Sequence, residues 1–170
     1  FTLTGKIAYV TGGSGLIGRA IVEALSDAEA HVVSLDIKDT AEASGRYAYV
    51  EFDAADINGM DAQLDKLEKI QGPADIWVNA AYPRTEEFGK NQLGDLQGSD
   101  WQKNVDLQMN ATCMLSSLVA ENMAGRGRGS IINLASIYGL RGPDLRVYDG
   151  LEMPLSPPVY AAIKGGLINY

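Results

Sequence analysis

The 170-residue chain contains a single cysteine, Cys113, and a single histidine, His31. One cysteine excludes an internal disulfide and any CxxC metal or redox motif. One histidine leaves no paired-histidine or HExxH zinc site. It also disfavours a Ser-His-Asp triad, because we expect His31 to be an ordinary residue at the start of a strand. Any acid–base chemistry of this chain must therefore use other side chains.

The sequence also lacks long apolar runs and an excess of positive charge. No segment approaches the roughly 18 consecutive apolar residues of a membrane span, and no basic region followed by an apolar stretch marks a secretion signal. The formal charge is −8, with 14 Lys and Arg against 22 Asp and Glu, which disfavours a partner bound through a phosphate backbone. We therefore predict a cytoplasmic protein without a membrane or nucleic-acid partner.

Segments with the patterns of strands and helices alternate along the chain. The predicted strands are residues 6–11, 31–36, 47–52, 75–80 and 130–134, and the predicted helices are residues 15–27, 60–70, 100–124 and a last one from 158 onward. Asp100 is the expected N-cap of the third helix, and the polar residues 38–45 fit a loop or a weak helical turn. Nearly continuous apolar strands that alternate with helices predict an α/β fold, a doubly wound Rossmann domain with a parallel sheet over residues 1–170. The apolar pattern is still running at Tyr170, so we expect the native chain to continue and to supply the last strands.

A glycine-rich turn, Thr11-Gly12-Gly13-Ser14-Gly15-Leu16-Ile17-Gly18, joins the first predicted strand to the first predicted helix. Glycine permits a positive φ and, because it lacks a Cβ, lets a phosphate or a neighbouring strand approach. The N-terminus of a helix offers unpaired N–H groups to a pyrophosphate. Glycines also mark tight strand-to-helix turns that bind nothing. The turn predicts a dinucleotide site formed by Gly12, Ser14, Gly15, Leu16, Ile17 and Gly18.

Two aspartates follow predicted strands at the edge where such a cofactor would lie. Asp36 ends the second strand, 18 residues after Gly18. A carboxylate there accepts hydrogen bonds from the ribose hydroxyls of adenosine and repels a 2′-phosphate, so we predict NAD as the cofactor. Asp53 ends the third strand and is expected to meet the adenine.

Three side chains late in the sequence suit proton transfer. Tyr160 and Lys164 are four residues apart on a predicted helix and therefore share a face. An ammonium group stabilises a neighbouring phenolate, which suits the tyrosine to general acid or base chemistry. Ser136 follows the fifth predicted strand, where its hydroxyl can hold the oxygen of a substrate.

In their order along the chain, these motifs resemble the short-chain dehydrogenase/reductase family. Residues 11–18 resemble its cofactor turn, and residues 78–81, Val-Asn-Ala-Ala, resemble its Asn-Asn-Ala-Gly stretch with two substitutions. The resemblance adds Asp53 and Ala54 as the adenine contact and Asn79, Ala80 and Ala81 as cofactor-binding residues.

The resemblance also implies catalytic roles and an assembly. Tyr160 would exchange a proton with the substrate while hydride passes to or from the nicotinamide. Lys164 would hold the nicotinamide ribose and stabilise the phenolate, and Ser136 would stabilise the substrate oxygen. Both Tyr160 and Lys164 would thus touch the cofactor as well. The family is usually dimeric or tetrameric, so we expect a homo-dimer or homo-tetramer.

The sequence departs from the family pattern at informative places. The glycine spacing, and the 24 residues from Ser136 to Tyr160, resemble the extended branch of nucleotide-sugar epimerases and dehydratases, whereas the segments around Asn79, Ser136 and Tyr160 resemble the short branch. The family's fourth catalytic residue, an asparagine, is expected seven residues beyond Trp101, where Gln108 stands. A glutamine can still hold the water of a proton relay.

A narrower resemblance is to short-branch oxidoreductases of bacterial surface-sugar and flagellin-glycan pathways. It implies a sugar-like substrate. Independently of this resemblance, two long loops, residues 82–99 and 137–157, follow the carboxyl ends of strands, where ligands bind in such sheets, and we expect them to be walls or lids of the site. The candidate polar contacts are Arg84, Tyr138, Arg141, Arg146 and Tyr148.

The main hypothesis is an NAD-linked oxidoreductase that interconverts an alcohol and a ketone on a polar small-molecule substrate. One alternative is a nucleotide-sugar epimerase or dehydratase with tightly bound NAD. The other is a dinucleotide-binding module without catalysis. No metal is predicted.

Overall fold

The computed structural model describes residues 1–38, 47–90, 92–153 and 155–170. The chain divides into two compact units. The sheet unit comprises residues 1–82 and 114–134, and the helical unit comprises residues 83–113 and 135–170. Of the polar segment 38–45, predicted as a loop or a weak helical turn, residues 39–45 lie outside the described residues.

The sheet unit is built on five parallel strands. They are β1 (Ile7–Thr11), β2 (His31–Asp36), β3 (Ala48–Glu51), β4 (Ile76–Asn79) and β5 (Ser130–Asn133), in the spatial order β3-β2-β1-β4-β5. The register places Val10 between Ser34 of β2 and Val78 of β4. This order confirms the predicted Rossmann-type sheet, and it puts the reversal of strand order between β1 and β4, where ligands bind in such folds.

Two helices of the sheet unit follow the predicted ranges closely. They are α1 (Leu16–Asp27) and α2 (Met60–Gln71). Val22 of α1 packs with Ala8, Val10, Val32 and Val78 from the strands, and all five are buried. Removing one such side chain from water contributes about 1.5–3 kcal/mol, so this cluster fixes the position of α1 over β1.

Side chains on the other face of β1 and β4 form an aromatic cluster. Tyr9 and Trp77 are buried, with ring centroids 5.5 Å apart, and Phe52 meets the Trp77 ring edge-on at 6.2 Å. Because successive strand residues point to opposite faces, Tyr9 packs on the face that Ala8 and Val10 do not. Both faces of these strands are therefore buried, as their continuous apolar sequence predicts.

The third predicted helix has three parts. These are α3 (Gly98–Asn104), a π-helical segment (Val105–Asn110) and α4 (Ala111–Gly125), which contributes residues 114–125 to the sheet unit. The predicted N-cap at Asp100 was wrong, because the helix begins earlier and Gln97 is its N-cap. Asp100 instead lies in the first turn, where its carboxylate complements the helix dipole and accepts a hydrogen bond from Asn104 Nδ2 at 3.0 Å.

The last helix, α5 (Pro158–Asn169), belongs to the helical unit. Proline at its first position suits a helix start, because that N–H has no helical partner. Val159, Ile163 and Leu167 recur along one face of α5 and pack with Phe88, and Trp101, Val105 and Met109 cover this cluster. In the described part of the chain, no helix is long and apolar enough to cross a membrane.

Candidate functional site

The glycine turn after β1 has no room for a side chain at Gly12 or Gly18. Gly12 has φ of 67°, and a Cβ there would lie 2.6 Å from Ala81 Cα, in the segment after β4. A Cβ at Gly18 would lie 2.0 Å from the Gly12 carbonyl oxygen. The absence of these Cβ atoms lets the turn lie against the end of β4 and lets α1 begin directly behind it.

The N-terminus of α1 fits a pyrophosphate. Its N-cap is Gly15, in extended conformation, so no side chain caps the N–H groups of the first turn. Leu16 is 94% exposed and Ile17 61% exposed, although both are apolar. Uncapped N–H groups, a glycine cradle and exposed apolar side chains together suit a dinucleotide lying over this turn.

Asp36 is held against the same turn. Its Oδ2 accepts a hydrogen bond from Ser14 N at 3.1 Å, and its Oδ1 accepts one from Ile37 N at 2.8 Å. The Tyr49 hydroxyl donates to the Asp36 carbonyl oxygen at 3.0 Å. A carboxylate has about four acceptor positions, so the bonds to Ser14 and Ile37 orient it and leave capacity for ribose hydroxyls.

Asn79 has a structural use that the sequence did not reveal. Its Nδ2 donates to Ser116 Oγ at 2.9 Å and to Asn133 Oδ1 at 2.8 Å, and its Oδ1 accepts from Trp77 Nε1 at 2.8 Å. The buried amide thus ties β4 to β5 and α4 and stabilises the sheet edge next to the turn. Ala80 N and Ala81 N donate to Thr11, which fixes the segment after β4 against the end of β1.

Asp53 shapes the turn after β3. Its Oδ1 accepts a hydrogen bond from Ala55 N at 2.9 Å, and Gln63 bonds both the N–H and the carbonyl of Asp53. Ala54 is half-buried within this turn. The predicted adenine contact therefore has a defined backbone conformation.

Tyr160 and Lys164 lie one turn apart on α5, in the helical unit. Lys164 Nζ is 5.9 Å from the centre of the Tyr160 ring, and Lys164 is only 9% exposed. Burial lowers the pKa of the Lys164 ammonium, because desolvation disfavours its charged form. A desolvated ammonium also interacts more strongly with a nearby phenolate than one in water does.

Ser136 caps a short 3₁₀ helix, Ile137–Gly139, that packs on α5. Ser136 Oγ accepts a hydrogen bond from Tyr138 N at 3.2 Å. A Cβ at Gly139 would lie 2.6 Å from both the carbonyl carbon and the oxygen of Lys164, and one at Gly165 would lie 3.2 Å from the Gly139 oxygen. This backbone contact brings the turn that starts at Ser136 onto the helix that carries Lys164.

Gln108 lies in the π-helical segment and is 4% exposed. Neither its Nε2 nor its Oε1 has a hydrogen-bond partner among the described residues. The other nearby side-chain amides have hydrogen-bond partners. Asn104 Nδ2 donates to Asp100 and Thr85, and Asn110 donates to Asp106 at 2.7 Å. An unpaired buried amide costs about 1–3 kcal/mol, and π-helical turns are frequent at functional sites.

The remaining candidate residues differ in their surroundings. Arg146 pairs with Asp144 in an exposed turn, whereas Arg141 lines a cavity of about 250 Å³ together with Tyr138. Tyr138 and Tyr148 hydrogen-bond each other through their hydroxyls at 3.2 Å.

No cluster of three or more His, Cys, Asp or Glu side chains suited to a metal occurs in the described ranges. His31 begins β2, where its Nε2 lies 2.9 Å from Gln71 Oε1.

Comparison with known proteins identifies a family for this chain. The family model for short chain dehydrogenase matches residues 6–169. Gluconate 5-dehydrogenase of Gluconobacter oxydans is 32% identical over 99% of this chain and 64% of its own length. Galactitol 2-dehydrogenase of Rhizobium johnstonii is 34% identical over 82% of this chain and 56% of its own length.

A solved structure agrees with these relatives. A short chain dehydrogenase from Leptospira borgpetersenii, crystallised with bound NAD+, superposes with a TM-score of 0.82 at 29% identity. The match covers 99% of this chain and 63% of that one. The chain thus spans less than two thirds of the length of these relatives.

Proposed function

The chain belongs to the short-chain dehydrogenase family, and on that basis we propose that it is the cofactor-binding and proton-transfer part of an NAD(H)-dependent oxidoreductase. The reaction is the interconversion of an alcohol and a ketone on a polyhydroxy small molecule. The observation that carries the proposal is the buried Lys164 ammonium one helical turn from Tyr160. Burying this charge is unfavourable for folding, and stabilising a phenolate gives it a use.

The sheet unit supplies the residues that would hold the cofactor. The turn from Gly12 to Gly18, with the start of α1, would hold the pyrophosphate, and Asp36 would accept hydrogen bonds from the adenosine ribose. Asp53, Ala54 and the segment from Asn79 to Ala81 would complete the site on the adenine and nicotinamide sides. When bound, NAD supplies a hydride acceptor, and NADH a hydride donor.

The helical unit supplies the residues for proton transfer. For alcohol oxidation, the Tyr160 phenolate would accept the proton of the substrate hydroxyl as its C–H hydride leaves. The Lys164 ammonium would stabilise the phenolate, and Ser136 Oγ would donate a hydrogen bond to the substrate oxygen. Gln108, whose buried amide has no described partner, would hold a water that passes the proton on.

The relatives support the substrate class and the type of reaction. Gluconate and galactitol, named for the two dehydrogenases, are a sugar acid and a polyol, so we propose a sugar, polyol or sugar acid as substrate. Both names describe net oxidation rather than epimerisation. The cytoplasmic location and the homo-oligomeric assembly stay predictions.

The first experiment replaces Tyr160 by Phe and measures NADH formation with a polyol as substrate. Tyr160→Phe should lower kcat about 100- to 10,000-fold, the usual contribution of a general base, while NADH binding is retained. Tyr170→Phe is the matched control, because it removes a phenol that bonds the Cys113 carbonyl instead.

Retained turnover in Tyr160→Phe would refute the catalytic assignment. Turnover without net NADH would favour the epimerase or dehydratase alternative. NADH binding without turnover of any alcohol would favour a non-catalytic binding module.

A further inference from the structure

The segment between Ser136 and Tyr160 places one further phenol, Tyr138, beside the proposed base and a second, Tyr148, in hydrogen-bond contact with the first. The Tyr138 ring meets the Tyr160 ring edge to face, with centroids 6.4 Å apart and an interplanar angle of 89°. The hydroxyl of Tyr148 then lies 3.2 Å from that of Tyr138. Three tyrosines from separate parts of the segment are thus brought together in the helical unit.

The position of Tyr138 follows from the residues already described. Its N–H is fixed by Ser136 Oγ, and the turn that carries it rests on the backbone of α5 through Gly139. An edge-to-face ring pair of this kind contributes about 0.5–1.5 kcal/mol beyond its buried area. Tyr138 is therefore held at Tyr160 by contacts that do not need its hydroxyl.

Tyr148 is brought in by its own turn. It ends the 3₁₀ helix Leu145–Tyr148, whose N-cap Asp144 accepts a hydrogen bond from Arg146 N at 3.1 Å. Every other residue from 144 to 150 is exposed, whereas Tyr148 is half-buried. The side chain of Tyr148 is thus the one that this surface turn directs onto Tyr138.

The two hydroxyls can form further hydrogen bonds besides the one that joins them. One proton lies between them, which leaves one O–H donor and further acceptor positions for a ligand. The hydrogen bond to Tyr148, burial, and the charges of Tyr148 and Tyr160 all raise the pKa of Tyr138. The raised pKa keeps the Tyr138 hydroxyl protonated, so that it can act as a hydrogen-bond donor.

We infer that Tyr138 and Tyr148 form a specificity site that hydrogen-bonds a second hydroxyl of the substrate, near the carbon that is oxidised. This inference rests on the proposed function and defines which alcohols are chosen. A polyhydroxy compound can form hydrogen bonds with the two phenol hydroxyls. When a simple alcohol binds, the polar atoms of the phenol pair are left without a hydrogen-bond partner from the substrate. Sites built to bond a hydroxyl discriminate strongly against analogues that lack it.

The test compares Tyr138→Phe, Tyr148→Phe and the double variant with the wild type on galactitol, sorbitol and gluconate, and on cyclohexanol as the simple alcohol. Each single variant should raise KM for the polyhydroxy substrate about 10- to 100-fold, with little change in kcat. The double variant should be no worse than either single one, because the two hydroxyls act as a unit. Kinetics with cyclohexanol should change less than about twofold, and Tyr170→Phe is again the control.

Binding of the same compounds to the NADH-loaded protein, followed by calorimetry, provides a readout without turnover. Binding of a polyhydroxy probe that weakens in Tyr148→Phe supports the inference. Equal losses with cyclohexanol and polyols would show a purely structural role and overturn it, as would unchanged KM. Absence of binding by every polyhydroxy probe would overturn it too. None of these results decides the role of Tyr160, which the Tyr160→Phe variant tests separately.

Discussion

The role proposed for Lys164 has a cost in stability. Its ammonium is buried on α5 beside Tyr160, and desolvation lowers the pKa of this ammonium. The folded protein thus binds the lysine proton less tightly than the unfolded chain does. Stability must rise with pH between the lowered pKa and the ordinary value of 10.5, because in that range only the unfolded chain keeps the proton.

Replacing Lys164 by Met should remove this pH dependence. We expect the free energy of unfolding of the wild type, minus that of Lys164→Met, to increase as pH rises toward 10.5. Urea unfolding at a series of pH values measures this difference. The control is Lys66→Met, which replaces an exposed lysine of α2 and should show no such increase. A difference that stays flat or falls with pH would contradict desolvation as the cause of the lowered pKa.

At the scale of elements, the proposed catalytic group depends on a backbone contact between a short turn and a helix. The 3₁₀ helix after Ser136 touches α5 at Lys164 through Gly139, with no space for a methyl group. The turn therefore carries Ser136 and Tyr138 in a fixed relation to Tyr160. Misplacement of such groups by about 1 Å can cost about 100-fold in rate.

Gly139→Ala should accordingly lower kcat by about 100-fold while NADH binding stays unchanged. The reason is that its Cβ would lie 2.6 Å from the Lys164 carbonyl, so the turn must move away from α5. Gly142→Ala is the matched control, because a Cβ there has no neighbour within 4 Å. Steady-state kinetics and NADH titration of both variants measure the effect. Equal activity of the two variants would show that the contact has no role in catalysis.

At the scale of the whole molecule, the strand order determines where a cofactor can stabilise the fold. β1 and β4 are neighbours, and the turn after β1 is packed on the segment after β4. A ligand held there binds only the folded state, because the strands that form the site are distant in sequence. Its binding energy therefore adds to the stability of the protein.

NADH at about 100 times its dissociation constant should stabilise the protein by about 2.7 kcal/mol and raise Tm by about 5–10 °C. NADPH at the same concentration should raise Tm less, because the Asp36 carboxylate repels its 2′-phosphate. Asp36→Asn should reduce the difference between the two cofactors, since the amide is neutral. Thermal unfolding monitored by circular dichroism measures these shifts. Equal shifts in the wild type would exclude a selective role for Asp36.

The sequence pattern was sufficient to predict the sheet. Each predicted strand overlaps an observed one, with ends that agree within one residue, because apolar runs bounded by glycine, proline and polar residues are local features of the chain. The family was also predicted correctly from short motifs in order along the chain. The predicted helix of residues 100–124 was only partly correct, since its π-helical segment depends on packing that periodicity does not show.

The candidate site likewise has features that the local sequence predicts and features that only the folded chain shows. The sequence by itself identified Gly12, Asp36, Ser136, Tyr160 and Lys164 as candidates, because their residue types and spacing point to a chemistry. Only the tertiary structure decided which side chains they contact. It tied the Asn79 amide to Ser116 and Asn133, left the Gln108 amide buried and unpaired among the described residues, and joined Tyr138 to Tyr148 beside Tyr160. Partners that lie far apart in sequence meet only when the chain folds, so no local pattern could have revealed them.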